Sequence, residues 1–350
     1  MVNDPRNNLL AGSESRRLVE LTSPMLLGVS SSILVTTIEI GWIDQLGTTA
    51  LAAIAFTFPV TMALMSVMSG ISIGCSSVIA RRVGGAQHDD ARRLGNHGIL
   101  LALLFSGAFA IVAWLFSAQL FATMGAAADA RAMTLAYMRV YLPGVLLFAL
   151  TMVTGSVLRA HGEARVPGLV ITGGAFVNLV LDPILIFGLF GMPRLELEGA
   201  AWAITLSRGV TAAVLLAVFW RRALFAWAPG FVTSVREIFT VGIPAMATQL
   251  IGPVSAGIIT ALLAAHGDAV VAGFGVAGRI ESVAVIVLFA LSGSIGPFLG
   301  QNFGAGLVSR VVRGVRAACI FCLAWGVVAV VLLLMLRGTL IPLFDSNPAV

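Results

Sequence analysis

The sequence predicts an all-α polytopic membrane protein, and three observations support this fold class. The composition is 59% hydrophobic with a mean hydropathy of +1.01, which a water-soluble domain of 350 residues does not need. Only 11% of the residues are charged. Long apolar segments alternate with short polar loops, and each segment can cross a hydrocarbon layer of about 30 Å.

The apolar segments predict nine transmembrane spans. The first span follows 17 mostly polar residues and is too long for the apolar core of a signal peptide, so we expect no cleavable leader. Because the connections are short, successive helices should be antiparallel neighbours. The predicted spans are 18–42, 51–80, 95–118, 132–158, 166–190, 199–221, 238–263, 270–300 and 312–336.

All 21 basic residues are arginine, and their positions predict the orientation. With the N-terminus in the cytoplasm, 15 of the 21 lie on the cytoplasmic side, and only Arg131, Arg194 and Arg337 lie in outer loops. We therefore expect a multi-pass protein of the inner membrane. This placement also accounts for the pI near 10.0. We expect a small organic molecule and the lipid bilayer as partners, no nucleic acid, and a monomer.

The second part of the chain repeats the first at a constant offset of 220 residues. The offset pairs Pro24 with Pro244 and Gly84 with Gly304 without a gap. One period holds six spans, and an even number gives both copies the same orientation about an axis along the membrane normal. The chain ends at a position equivalent to the loop after the third span. We therefore expect about twelve spans in the complete protein, and either a fragment or a truncated gene here.

The repeat also predicts the domain organisation. Each period should form one lobe, with a polar segment before the first lobe and a polar linker between the two. The predicted regions are a cytoplasmic N-terminal segment at 1–17, a six-helix lobe at 18–222, a cytoplasmic linker at 223–237 and the first three helices of a second lobe at 238–350.

Polar residues interrupt the apolar stretch 177–188 in the fifth span. Asn178 and Asp182 lie four residues apart and share one face of a helix. Pro183 has no N–H, so it leaves the carbonyl of Leu179 free. An ionisable group in hydrocarbon is costly and marks a functional site by default. The structural alternative is a kink whose Asp182 pairs with a neighbouring helix.

Glu39, Asp182 and Thr205 are predicted at one depth, in the outer half of the membrane. Glu39 lies about 21 residues into the first span and Asp182 about 16 residues into the fifth, while Thr205 follows the outer start of the sixth. Desolvation and a second carboxylate both disfavour two charges. We therefore predict that Glu39, Asn178, Asp182 and Thr205 bind a coupling H⁺ or Na⁺, with no cofactor. The first three would supply the oxygen ligands for Na⁺. The alternative for Glu39 is an interfacial residue that faces outer headgroups.

Other embedded polar residues are candidates for the substrate cavity or for helix contacts. Gln249 could line a cavity or join two helices by a hydrogen bond, and Glu281 could line the cavity or be neutralised by Arg279. We expect Arg139 and Arg208 to neutralise charge between helices. The histidines lie at or near predicted loops and should be solvated, and the cysteines should be packing residues; they are His88, His97, His161, His266, Cys75, Cys319 and Cys322.

The chain resembles the multidrug and toxic compound extrusion (MATE) transporters. The ordered set of matching motifs covers residues 18 to about 337. The motifs are Glu39 followed by LGT at 46–48 and ALAA at 50–53, ARRVG at 80–84, Asn178-x-x-x-Asp182-Pro183, GAAWAIT at 199–205 and GQNFGAG at 300–306.

The resemblance implies two six-helix lobes around a central cavity, with about nine of the twelve helices present here. It implies export of organic, often cationic compounds in exchange for H⁺ or Na⁺. In the DinF-like branch, which this chain resembles most, the cation site maps to Glu39, Asn178 and Asp182, with Thr205 on the sixth helix. The family usually has Asp at the first position, and the longer Glu39 could change the H⁺/Na⁺ preference. Another branch has an acid on the seventh helix, where 243–263 holds none.

We therefore predict a secondary antiporter and no enzyme. A membrane-embedded enzyme would need a His/Asp or metal cluster within the spans, and the sequence pattern shows none. The absence of lysine excludes a P-loop lysine and a lysine Schiff base. Two alternatives stay open. A flippase for a lipid-linked saccharide should have several cavity cations for a pyrophosphate, and a truncated chain would not transport.

Overall fold

A computed structural model describes residues 9–226, 228–264 and 268–344, and its regular structure in these ranges is helical. Nine of the described helices are long and apolar enough to cross a membrane. The helices are α1 Glu14–Asp44, α2 Thr48–Gly84, α3 His88–Thr123, α4 Ala128–Ala160, α5 Arg165–Phe187, α6 Glu196–Arg221, α7 Phe231–Ala264, α8 Asp268–Ala284, α9 Ile286–Gly304 and α10 Val308–Phe344.

The predicted eighth span, 270–300, is wrong as a single helix, because α8 and α9 are separated at Val285. The backbone nevertheless runs through this point. Val285 N donates to the Glu281 carbonyl at 3.0 Å, and Phe289 N donates to the Val285 carbonyl at 3.0 Å. The break is therefore one irregular residue within a continuous path, and only α9 is apolar and long enough to count as a span by itself.

Helix boundaries repeat at the same offset that relates the sequence motifs. The end of α1 corresponds to the end of α7, both ends of α2 correspond to the start of α8 and the end of α9, and the start of α3 corresponds to the start of α10. The first copy is complete and comprises α1 to α6. Within it α2 and α4 pack against each other, α4 packs on α3 and α6, and α5 packs on α1 and α6.

The two copies meet through α2 and α7, through α1 and α9, and through α2 and α9. The first two contacts are equivalent under the repeat, and the third joins equivalent helices. The last residues of α2 and α9 lie at the same end of the bundle as the first residues of α1, α3, α7 and α10. We call this end the arginine-rich face, because Arg16, Arg81, Arg92, Arg236 and Arg310 lie there.

Large apolar side chains cover the outside of the bundle. On α3, for example, Trp114, Leu115 and Phe116 are each more than half exposed. A water-soluble protein would not expose such a run of large apolar residues, whereas lipid tails solvate it well. The buried polar residues therefore stand out against an apolar exterior and an apolar core.

Candidate cation site

Asn178 and Asp182 form the centre of the candidate site on α5. Asp182 is fully buried and Asn178 is 5% exposed. The helical spacing brings them together, and Asn178 Nδ2 donates to Asp182 Oδ2 at 2.7 Å. The Oδ1 atoms of both residues are buried and have no hydrogen-bond partner within the described ranges. A proton would bind at the Asp182 oxygen that lacks a donor, whereas Na⁺ would use both oxygens as ligands.

Glu39 joins this centre from α1. Helices α1 and α5 run side by side in the same direction, and Gly28 packs against Ile171. Glu39 and Asp182 each lie 11 residues beyond that contact on their own helices, so they are level with each other. Glu39 is 8% exposed. It lies near enough to Asp182 for two negative charges to repel each other. The interfacial alternative for Glu39 is therefore less consistent with the structure than a buried position.

Thr205 lies at the right level, but its hydroxyl points to another helix. The antiparallel contacts of α5 with α6, Leu185 against Gly199 and Gly174 against Thr211, put Thr205 level with the middle of the Asn178–Asp182 turn. Its Oγ1 donates to the carbonyl of Val140 on α4 at 3.5 Å. Depth alone therefore did not predict its partner.

The sequence analysis did not place three residues in the site that pack together close to it: Tyr137, Tyr141 and Arg208. Tyr137 and Tyr141 are buried on α4 and stack with ring centroids 5.6 Å apart. Tyr141 is also contacted by the guanidinium group of Arg208, 5.0 Å from its ring centroid. The tyrosines lie one helical turn apart, and this spacing within an apolar span is the sequence signal that could have identified them.

The two candidates for the substrate cavity lie outside this centre. Gln249 is exposed on α7, and Glu281 is exposed near the end of α8. The side chain of Arg279, the proposed partner of Glu281, lies outside the described residues. Both candidates stay predictions.

His97 corrects the expectation that the histidines are solvated. It is 7% exposed, and its ring nitrogens pair with Ser234 Oγ at 2.8 Å and with the Ala228 carbonyl at 2.9 Å. These contacts attach α3 to the first turn of α7, through Ser234, and to the segment that precedes it, through Ala228. Both ring nitrogens of the buried His97 are therefore hydrogen-bonded, as expected of a buried polar group.

Known proteins share both the sequence and the fold. The family model MatE matches residues 24–184 and 244–350, two segments whose starts differ by the repeat offset. A protein of Shewanella oneidensis named FAD transporter is 32% identical over 99% of this chain and 77% of its own length. A protein of Thermotoga maritima, named as a probable multidrug resistance protein NorM, is 27% identical over 86% of this chain and 66% of its own length.

Solved structures agree with these relatives. The MATE transporter VcmN of Vibrio cholerae, in its bent form, superposes with a TM-score of 0.91 at 29% identity. The match covers 96% of this chain and 76% of that structure. Together the matches indicate a multi-pass membrane transporter and explain why the helical bundle has two related halves.

Proposed function

The chain belongs to the MatE family of membrane transporters, and on that premise we propose that it is a secondary antiporter. It would export organic cationic or amphiphilic compounds in exchange for H⁺ or Na⁺. The observation that carries the proposal is the presence of two buried acids at one level, Glu39 and Asp182, which we call the acid pair. Asp182 accepts one hydrogen bond from Asn178 and keeps its other oxygen without a donor in the described ranges. Such an arrangement is costly in hydrocarbon unless a cation is exchanged there.

The proposed cycle follows from the charge of the pair. Cation binding at Asp182, with Asn178 and Glu39 as neighbours, neutralises charge and allows α1 and α5 to repack. An exported cation binds more weakly to the neutralised site, so the two bind to different states. The difference in affinity between the states is what couples the cation gradient to export.

We also propose the orientation. The arginine-rich face lies in the cytoplasm, as the positive-inside rule predicts, and the protein resides in the inner membrane. The acid pair then lies in the outer half, where H⁺ or Na⁺ arrives from outside.

The test is gradient-driven export by the full-length protein in proteoliposomes. Asp182→Asn should abolish export under both an imposed proton gradient and an imposed Na⁺ gradient, because the amide cannot exchange a charge. Asp129→Asn is the matched control, because Asp129 is an exposed carboxylate in the first turn of α4. Normal export by the Asp182→Asn variant would refute the proposal, and the gradient that drives the wild type identifies the coupling ion.

A flavin nucleotide is the second substrate candidate, because the Shewanella relative is named an FAD transporter. A flavin dinucleotide is aromatic and anionic, whereas the first candidate class is cationic or amphiphilic. Export assays that offer FAD and a fluorescent organic cation separately distinguish the two classes, because they show which of the two compounds the protein exports.

A further inference from the structure

A cavity of about 610 Å³ lies at the arginine-rich face, beside the first turn of α1. Its wall combines the start of α1, the loop between α4 and α5, the start of α5 and the residue that follows α6. The charged side chains of the described residues that line it are Arg16, Arg17, Glu20, Glu163, Arg165 and Arg222. Four guanidiniums against two carboxylates leave a formal charge of plus two, so the cavity favours an anion.

The two carboxylates hold arginines in place at the wall. Glu20 accepts hydrogen bonds from Arg16 Nε at 3.0 Å and from Arg17 Nη1 at 2.8 Å. Glu163 Oε1 accepts one from Arg222 Nη2.

Two of the arginines keep donors for a ligand. Within the described ranges Arg16 donates only through Nε, and Arg165 pairs with no carboxylate. The N–H groups of a guanidinium match the oxygens of a phosphate group, so these two residues are suited to bind one.

The starts of two helices add partial positive charge to the same cavity. Ser13 precedes α1 and Ala164 precedes α5, and both line the wall. Neither helix has a capping side chain in the part of the chain that the structure describes. The backbone N–H groups of a first helical turn have no partner within the helix and attract phosphate. The helix ends thus favour the same kind of ligand as the arginines.

An exposed apolar stripe leads away from the cavity along α5. Arg165 is followed on the same face by Leu169, Phe176 and Val180, which are 61%, 65% and 44% exposed. These side chains continue from the cavity toward the level of the acid pair. An acyl chain that contacted the stripe would have its polar end at Arg165.

Helix α1 carries a second stripe of the same kind. Arg16 is followed by Val19, Leu27 and Leu34, which are 65%, 57% and 59% exposed. Because α1 and α5 run side by side in the same direction, both stripes begin at the one cavity. A cationic cavity from which two apolar stripes run into the membrane matches a molecule with an anionic head and two acyl chains.

We propose that this cavity binds the headgroup of an anionic phospholipid, with its phosphate at Arg16 and Arg165 and its acyl chains along α1 and α5. The apolar stripes favour a lipid over a soluble phosphate compound, which would contact the arginines alone. The inference goes beyond the proposed function and does not depend on it, because it uses neither member of the acid pair.

The test is the binding of dioleoylphosphatidylglycerol to the purified full-length protein in detergent, followed by native mass spectrometry across a lipid titration. Loss of one arginine near an anionic headgroup should weaken binding about fivefold. We expect this loss for Arg165→Gln, and a loss of up to about 25-fold for Arg16→Gln/Arg165→Gln. Both positions are exposed, so the fold should not change.

The repeat supplies the matched control. Arg236 is the counterpart of Arg16 at the offset of 220 residues, is exposed at the same face and does not line the cavity. Arg236→Gln removes the same charge and should bind the lipid as the wild type does. Equal affinities for Arg165→Gln, Arg236→Gln and the wild type would overturn the inference.

Two further arms distinguish a lipid from a soluble phosphate compound. Leu169→Gln should weaken binding of the lipid, whereas Leu115→Gln, which changes an equally exposed leucine on α3, should not. Glycerol 3-phosphate at the concentration of the lipid should not displace it. Displacement would identify a soluble phosphate compound as the ligand, and equally strong binding of dioleoylphosphatidylcholine would show that the charge of the cavity selects nothing. Each of these results would refute the lipid site and leave the proposed antiport function untouched.

Discussion

Asn178 determines which oxygens of the site are free. Its amide nitrogen is used by Asp182 Oδ2, and this leaves the amide oxygen and Asp182 Oδ1 without donors in the described part of the chain. The amide nitrogen stabilises the ionised carboxylate, whereas the amide oxygen has the chemistry of a Na⁺ ligand and would not hold a proton. One side chain thus acts in opposite directions on the two candidate ions.

The Asn178→Leu variant removes both groups of the amide and should therefore change H⁺ binding and Na⁺ binding in opposite directions. Loss of a hydrogen bond to a buried charge costs about 1.5–3 kcal/mol. We therefore expect proton uptake at Asp182 to become roughly 10- to 100-fold more favourable, while Na⁺ binding weakens because one ligand is lost. Proton titration and ²²Na⁺ binding on the same purified protein measure both.

Thr172→Val is the matched control on α5. The Thr172 hydroxyl donates to the Gly168 carbonyl within its own helix, at 3.0 Å. Both binding equilibria should stay within about twofold of the wild type, because a substitution away from the site changes little. Stronger Na⁺ binding by Asn178→Leu would contradict the ligand role of the amide oxygen.

The sequence could single out Glu39 and Asp182 as candidates because a charged residue in an apolar span is conspicuous, and both are buried in the structure. Asp182 and Asn178 could also be paired, since helical geometry alone puts them on one face. The aromatic packing of Arg208 could not be predicted, because Tyr141 and Phe148 lie on another helix and the contact requires the tertiary fold. His97 was misplaced for the same reason, since its partners lie more than 130 residues away.

At the level of elements, the crossing of α1 and α5 positions the acid pair. A Cβ atom added to Gly168 would overlap the carbonyl group of Pro24, so the two backbones are in direct contact. Such close approach requires glycine at that position. The crossing fixes the register that brings Glu39 level with Asp182.

Gly168→Ala should separate the two helices. The added methyl group meets backbone atoms that cannot rotate away, and such overpacking costs about 1–3 kcal/mol. We expect a lower apparent Tm in detergent together with weaker cation binding at the acid pair. A melting scan followed by fluorescence or by circular dichroism gives the first, and ²²Na⁺ or proton titration gives the second.

Gly173→Ala is the control on the same helix. An added Cβ there meets no heavy atom of the described residues within 4 Å. Alanine in a helix interior is favoured over glycine by about 0.5–1 kcal/mol, so the Tm should rise or stay unchanged. Equal losses for the two variants would show that the α1–α5 crossing has no special role.

The interruption between α8 and α9 could not be predicted from the hydropathy pattern. Hydropathy predicted one span across 270–300, because the stretch from Glu281 to Val287 contains neither proline nor glycine. The irregular residue, Val285, has φ −92° and ψ 1°. A single residue with such dihedrals interrupts the regular helix pattern without a proline or glycine to announce it, so hydropathy could not predict it.

On the scale of the whole molecule, the arginine-rich face ties the two copies together. Gln301 Nε2 donates to the Ala160 carbonyl at 2.8 Å, and Arg82 pairs with Glu237 at 2.9 Å. The segment before α1 takes part as well, since Asn302 Nδ2 donates to the carbonyl of the buried Leu9 at 3.3 Å. The structure therefore represents a state that is closed at this face.

Two equivalent glycines form the tightest part of this closure. A Cβ on Gly84 would overlap the carbonyl group of Gln301, and a Cβ on Gly304 would overlap that of Arg81. Both pairs are related by the repeat offset, so the contact obeys the internal two-fold symmetry. We call this contact between the two copies the seam. Under the proposed antiport function, the seam should open in another state of the transport cycle.

Gly84→Ala or Gly304→Ala should therefore destabilise the closed seam and shift the population toward the open state. Spin labels at His88→Cys and Val308→Cys, two exposed and equivalent positions, report the width of the seam by pulsed dipolar spectroscopy. Cys319 and Cys322 are replaced by serine in this background. Either alanine variant should give a longer and broader distance distribution than the parent.

The symmetry sharpens this prediction, because the two glycines act on one contact. The Gly84→Ala/Gly304→Ala variant should widen the seam little more than either single change, since neighbouring substitutions in one contact are not additive. Gly296→Ala is the control, because an added Cβ there meets no described heavy atom within 4 Å. An unchanged distance in both single variants would mean that the carbonyls can move aside, and that the ion pairs and the segment before α1 hold the seam closed instead.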